Sequence, residues 1–212
     1  MLSRQHRTLG LVLLTPLLTL ALGAQQPPPT TLHLKTPSFV FARYATVSAA
    51  ALYAAHGFGP VGAFVGMVQN PRTEYRELIG GAFTQVNWSR HSVLIALGYA
   101  NATEAEYLQT YITPSLAFGR LSISGTIEWY EPLEAAGTRQ LDLNPLVLMA
   151  RVHRQVGLGA SYTQGMAQGD GARHRAGPAV EYYAPWGSLR LEVLRRFTDE
   201  TTEVRTGVVA GF

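Results

Sequence analysis

From about residue 60 onward, the chain alternates apolar residues with small or polar ones, and turn residues separate the alternating segments. In "RLSISGTIEWYEP", Leu121, Ile123 and Ile127 share one parity, whereas Ser122 and Glu128 share the other. Successive side chains of a β-strand point to opposite faces, so each segment predicts a strand with one apolar face. No apolar run in this region reaches the roughly 18 residues expected of a membrane helix. The pattern therefore predicts an all-β fold.

The connections between these segments alternate between tight turns, such as Gly119–Arg120, and longer polar loops, such as Glu131–Leu141. Short turns at one end and long loops at the other are typical of membrane β-barrels. Aromatic rings prefer the interface between lipid and water, and several lie at the ends of segments. The predicted interfacial aromatic residues are Trp88, Tyr99, Trp129 and Trp186. A soluble sandwich with its apolar face turned inward remains an alternative.

The N-terminal residues have a different character from the alternating region. Residues 1–24 combine basic Arg4 and Arg7 with an apolar run and small residues, which predicts a cleaved secretory signal peptide. Residues 25–37 are rich in Pro and Thr and predict an extended periplasmic linker. Cleavage would lower the formal net charge from +3 to +1, because two arginines and no acid are lost. Binding to nucleic acid therefore has no support.

The last segment, "EVRTGVVAGF", alternates like the others and ends on an aromatic residue. A signal peptide, alternating strands and such a final strand together resemble the Gram-negative outer-membrane β-barrel proteins. The resemblance covers roughly residues 60–212 and implies an outer-membrane location, with lipid, lipopolysaccharide and the barrel-insertion machinery as partners. It also implies a barrel-assembly signal formed by Val204, Val208, Ala210 and Phe212.

The segments predict a closed antiparallel transmembrane barrel of ten strands within the domain 60–212. The predicted strands span residues 60–69, 77–88, 91–100, 107–118, 120–130, 143–153, 156–165, 176–186, 187–197 and 202–212. Residues 38–59 precede them, and 38–56 allow two interpretations. Abundant Ala and the helical spacing of Val40, Tyr44, Val47 and Ala51 favour a short helix or strap. Two additional strands, giving twelve, are the alternative.

Charged residues of the alternating segments fall on the polar face, which would line the lumen. The predicted lumen-lining set is Glu128, Arg151, Glu181, Arg190, Glu192, Arg196, Glu203 and Arg205. Four Arg and four Glu balance in charge, and a buried charge persists when it is paired. We interpret the lumen as largely plugged by these pairs, with a polar path for a small solute as the alternative. The predicted role is structural or porin-like passive transport.

An outer-membrane enzyme acting on lipid A or peptides is a further hypothesis. His174 lies near Asp170 in a polar loop, and such a pair can activate water. His153, Ser161 and Glu181 lie on neighbouring predicted strands and could form an esterase site. The sequence favours neither, and it predicts no catalytic residue, no metal site and no cofactor. A secreted soluble β-domain that binds a ligand is the remaining alternative.

Overall fold

The structure is a computed structural model that describes residues 32–70 and 72–212, and these residues form thirteen strands. Twelve of them, β2 to β13, close into one antiparallel barrel, because β5 pairs with β6 and β13 pairs with β2. The strands are β1 (His33–Leu34), β2 (Phe39–Ala45), β3 (Ala50–Gly57), β4 (Gly62–Asn70), β5 (Tyr75–Trp88), β6 (His91–Ala102), β7 (Glu106–Phe118), β8 (Leu121–Pro132), β9 (Gln140–His153), β10 (Val156–Ala167), β11 (Arg173–Ala184), β12 (Gly187–Arg196) and β13 (Thr202–Gly211).

The predicted count of ten strands is wrong, and so is the short helix expected before them. Residues 39–45 and 50–57 form β2 and β3, which stand between β13 and β4. As a helix this segment would leave the edges of β13 and β4 without hydrogen-bond partners, and an open sheet edge is a liability that closure removes. The twelve-strand alternative is the one that the structure shows. No helix in the described part of the chain is long and apolar enough to cross a bilayer; that finding does not bear on crossing by strands.

The two ends of the barrel differ. We call one the turn end: it carries the connections 58–61, 89–90, 119–120, 154–155 and 185–186, together with the start of β2 and the end of β13. The opposite, loop end carries the connections 46–49, 71–74, 103–105, 133–139, 168–172 and 197–201. At the turn 119–120, Gly119 adopts a φ of 64°, a left-handed conformation that glycine takes without steric cost. The result is the asymmetry typical of membrane barrels.

The outer face of the sheet carries exposed apolar side chains. On β9, Leu146 and Leu148 are exposed, whereas Val147 and Met149 between them are buried. The same alternation places exposed aliphatic residues around the ring, including Leu52, Val65, Leu78, Leu97, Ile112, Ile127, Leu158, Val180 and Leu191. No second sheet covers this surface within the described residues. A soluble sandwich buries its apolar face between two layers, so the sandwich alternative does not describe this architecture.

Part of the interior is apolar. Ile79, Phe83, Ala96, Ala100 and Tyr111 belong to one buried cluster on strands β5 to β7. Rings from β3 and β4 pack against it; a Cβ on Gly66 would lie 2.2 Å from the ring of Tyr53. Glycines on the inner face thus make space for aromatic rings that would otherwise not fit inside a narrow barrel.

The segment before β2 lies against the turn end. Strand β1 pairs with residues 86–87 of β5, beyond the point where β4 begins. Thr36 is buried, and its Oγ1 donates to the carbonyl oxygens of Gly59 and Val61 at 2.9 and 3.0 Å. Residues 32–37 are the described part of the predicted linker 25–37. The predicted signal peptide, residues 1–24, lies outside the described residues.

Close strand contacts at glycine generate a first prediction. A Cβ on Gly81 would lie 2.1 Å from the carbonyl oxygen of Leu97, whereas one on Gly80 meets only the oxygen of Phe64 at 3.8 Å. We expect Gly81→Ala to lower the free energy of unfolding by about 1–3 kcal/mol, because the backbone must move. Gly80→Ala is the matched control and should cause no loss. Urea titration in detergent micelles measures both, and equal effects would contradict the close-packing argument.

Candidate functional site

The interior carries charged side chains from β11, β12 and β13 along most of its length. We call this group the charged wall: Arg175, Glu181, Arg190, Glu192, Arg196, Glu203 and Arg205. At its centre, the fully buried Glu203 contacts the guanidinium of Arg205 and lies 3.3 Å from Nε of Arg175. Ser48 Oγ donates to Glu203 at 2.7 Å, and Arg205 Nη1 donates to Asn144 Oδ1 at 2.9 Å. One carboxylate thus neutralises two guanidinium groups, which leaves a local excess of positive charge.

Nearer the turn end, Arg190 Nη2 donates to Glu181 Oε2 at 3.1 Å. The guanidinium of Arg151 lies over the ring of Tyr183, 4.1 Å from its centroid, an arrangement that provides a cation–π interaction. Arg196 extends toward the loops, where its Nη1 lies 2.6 Å from Asp199 Oδ2. Beyond the strands, the backbone N–H of Thr201 lowers the pKa of Asp199, and so does the nearby Arg196. This carboxylate therefore stays ionised and holds Arg196 at the mouth.

Several buried polar atoms of the charged wall have no hydrogen-bond partner in the described protein. They include the Nε atoms of Arg190 and Arg196 and one oxygen of Glu192. Ser161 Oγ, on the neighbouring β10, is also buried and has no hydrogen-bond partner among the described residues. Arg190 and Arg196 nevertheless form ion pairs through their Nη atoms, with Glu181 and Asp199.

The sequence-predicted lumen residues are brought together only in part. The structure pairs Glu203 with Arg205 and Glu181 with Arg190. The other four do not pair with one another: Glu128 accepts from Tyr130, Arg151 stacks on Tyr183, Arg196 pairs with Asp199, and Glu192 makes no ion pair among the described residues. The expectation that Arg and Glu would neutralise one another throughout is thus met at two pairs.

A second group also faces the lumen, and the sequence analysis named only one of its members, Glu128. We call it the tyrosine wall: Tyr53, Tyr75, Glu77, Tyr107, Gln109, Tyr111, Glu128 and Tyr130, on β3, β5, β7 and β8. Tyr130 Oη donates to Glu128 at 2.8 Å, and Tyr75 and Tyr111 donate to Glu77 and Gln109. Partners separated by two residues lie on one face of a strand. The spacing Tyr-x-Glu, Gln-x-Tyr and Glu-x-Tyr was therefore a signal available in the sequence.

Arg43 on β2 stands between the two walls, because β2 pairs with β13 on one side and β3 on the other. Its side chain projects into the lumen opposite Glu128, because β8 lies six strands from β2 in the ring of twelve. Its own Nε is buried and has no hydrogen-bond partner within the described residues. The sequence reasoning missed Arg43, because the helix interpretation of its segment removed it from the wall.

The interior is more accessible toward the turn end. There the inward-facing side chains of Ser115, Arg151 and Val209 are exposed, in contrast to the buried charges near the loop end. The half of the interior toward the loop end is therefore the more crowded one.

Aromatic side chains mark both rims of the outer face. Trp88 and Trp186 lie beside tight turns at the turn end, and Tyr99 and Trp129 lie toward the loop end. The guanidinium of Arg139 packs over Trp129, 5.9 Å from its ring centroid, and Nε donates to Glu131 at 2.7 Å. Hydrogen bonding to Glu131, together with its charge, raises the pKa of Arg139.

The residues of the predicted assembly signal occupy the outer face of β13. Val204, Val208 and Ala210 alternate with the inward-facing Glu203 and Arg205. Phe212 is highly exposed, and its backbone N–H donates to the carbonyl oxygen of Ser38 at 3.2 Å.

The residues considered for catalysis do not form a shared site. His174 Nδ1 lies 2.7 Å from Tyr162 Oη on the outer face, whereas Asp170 binds Arg173. His153 is exposed at a tight turn, Ser161 faces the interior, and Glu181 binds Arg190. Among residues 32–70 and 72–212, no three His, Asp or Glu side chains are grouped to hold a metal ion.

The closed sheet, its apolar exterior and its charged interior define the outer-membrane class of β-barrel. Among solved structures, the chain is similar to a KdgM porin in complex with disordered oligogalacturonate, with 13% identity and a TM-score of 0.57 over 84% of this chain and 99% of that chain. A NanC porin gives 10% identity and a TM-score of 0.56 over 82% of this chain and 98% of that chain. No protein-family model and no curated protein sequence matches the chain. At these identities the likeness concerns the fold, and it confirms the predicted outer-membrane barrel architecture.

The buried charges of the interior generate a second prediction. Glu203→Ala would leave Arg175 and Arg205 without their shared carboxylate, and removing one partner of a buried ion pair costs about 3–5 kcal/mol. Glu200→Ala, which removes the exposed partner of Arg195, is the matched control. An exposed pair contributes at most about 1 kcal/mol. Unfolding in detergent micelles should separate the two variants, and a stable Glu203→Ala barrel would show that these charges are solvated.

Proposed function

We propose that this chain is an integral outer-membrane barrel through which small solutes pass passively. The proposal rests on the difference between the two faces of the single closed sheet. Its large aliphatic side chains point outward, and its buried charges point into the lumen. A soluble protein rarely exposes a continuous apolar surface of this kind, whereas a bilayer requires one. The KdgM and NanC porins supply the analogy of fold.

The lumen that we propose as the path is narrow. Twelve strands enclose more space than the eight-stranded barrels that side chains fill, but both walls crowd the section near the loop end. We infer that the Arg–Glu pairs of the charged wall fill much of this section. The remaining passage would admit small solutes and exclude large ones.

The orientation and the partners belong to the same proposal. The loop end would face the exterior and the turn end the periplasm, as the lengths of the connections favour. The aromatic rims would lie in the two interfaces of the membrane, with Arg139 and Arg195 near lipopolysaccharide phosphates. The outer face of β13 would be the surface that the insertion machinery contacts.

Membrane burial of the outer face is tested by placing a charge on it. Leu148 is 45% exposed in the middle of the outer face of β9, and Leu133 is 53% exposed in a loop. We expect Leu148→Arg to destabilise the barrel in lipid vesicles by about 2–4 kcal/mol, because arginine must enter the hydrocarbon. Leu133→Arg is the control and should have little effect. If both variants were as stable as the wild type, the outer face would not be buried in lipid and the barrel would be soluble.

Transport is tested by reconstitution. A heat-modifiable protein recovered from the membrane fraction should give discrete conductance steps in planar lipid bilayers, since the lumen is lined by polar groups. The control is the same preparation unfolded by boiling. A folded barrel that inserts and never conducts would contradict the transport role and leave a structural one.

A further inference from the structure

We propose, on the basis of the proposed transport function, that the narrow section of the lumen favours small zwitterions. Such solutes carry an ammonium group and a carboxylate. The inference rests on the different chemistry of the two walls and on the residue that stands between them.

The tyrosine wall has the composition of a site for an organic cation. Four tyrosine rings, those of Tyr53, Tyr107, Tyr111 and Tyr130, lie close together, and Tyr107 and Tyr130 meet edge to face with centroids 6.2 Å apart. The carboxylates of Glu77 and Glu128 are set among these rings. Aromatic faces attract ammonium groups, and a neighbouring carboxylate adds a charged acceptor.

The charged wall has the opposite preference. It contains four arginines and three glutamates, and Arg43 adds a further cation at its edge. The side chains of Arg190 and Arg196 are 25% and 23% exposed, so part of each guanidinium group is accessible from the lumen. Guanidinium groups bind carboxylates through paired hydrogen bonds, so these groups suit the carboxylate of a solute.

Arg43 and Glu128 carry opposite charges and project into the section from opposite sides of the lumen, because β8 lies six strands from β2 in the ring of twelve; the two charges therefore attract each other across it. A solute with one charge that disrupts this interaction leaves an unpaired charge in a poorly hydrated site, which is costly. A zwitterion can supply a partner to both residues, because its carboxylate binds Arg43 while its ammonium group binds Glu128. The passage of a zwitterion therefore leaves no buried charge without a counter-ion.

The experiment measures the swelling of liposomes that contain the full barrel. The probes are glycine betaine, γ-aminobutyrate and an uncharged polyol of matched size. We expect the zwitterions to enter roughly three to ten times faster than the polyol, an effect of the size that one ordinary hydrogen bond provides.

Two variants identify the walls. Glu128→Gln keeps an acceptor for Tyr130 and removes the charge, and Arg43→Gln removes the opposite charge. Each should reduce the advantage of the zwitterions to less than about twofold without slowing the polyol. Glu131→Gln, on the outer face of the same strand as Glu128, is the matched control and should behave as wild type.

The outcomes separate the two proposals. Equal entry of zwitterions and polyol into wild-type liposomes overturns the zwitterion inference and leaves passive transport intact. Entry of no solute through a folded, inserted barrel overturns both. An advantage that survives in both the Glu128→Gln and Arg43→Gln variants overturns the assignment to these walls.

Discussion

Closure of the sheet is the constraint on which the rest of the structure depends. A single layer of strands has no second sheet to shelter its backbone, so every strand needs a hydrogen-bonded neighbour on both sides. Residues 39–45 provide the neighbour for the last strand, from the pair Gly211 and Phe39 to the pair Arg205 and Ala45. The same requirement explains why the alanine-rich residues 50–57 adopt strand structure between β2 and β4.

Closure also divides the side chains between two environments. Outward positions meet a medium in which aliphatic groups are favoured, and inward positions meet a confined space of low effective dielectric. In that space a charge persists only with a partner, which accounts for the sharing of Glu203 by Arg175 and Arg205.

The sequence predicts part of this architecture well. Strict alternation places strands and faces correctly from β4 to β13, because a period of two residues reports directly which side chains share a face. It fails at β2 and β3, since Ala51 and Ala55 are small enough for either environment and the spacing of Val40 and Tyr44 also suits a helix. The tyrosine wall is harder, because groups from β3, β5, β7 and β8 meet only once the barrel has closed and the registers are set. Only its pairs within one strand, such as Glu128 with Tyr130, could have been found.

The difference between the two walls follows from the order of strands in an up-and-down barrel. Each strand from β2 to β13 pairs with its neighbours in sequence, so position around the ring increases steadily along the chain. Inward-facing aromatic residues occur on β3, β4, β5, β7 and β8, whereas inward-facing Arg and Glu are concentrated on β11 to β13. A gradual change in composition along the sequence thereby becomes a difference between opposite sides of the lumen. Arg43 departs from this trend because the barrel closes between β2 and β13. Strand β2 comes early in the chain, but it pairs with β13, so the charge of Arg43 lies beside the wall formed by the last strands.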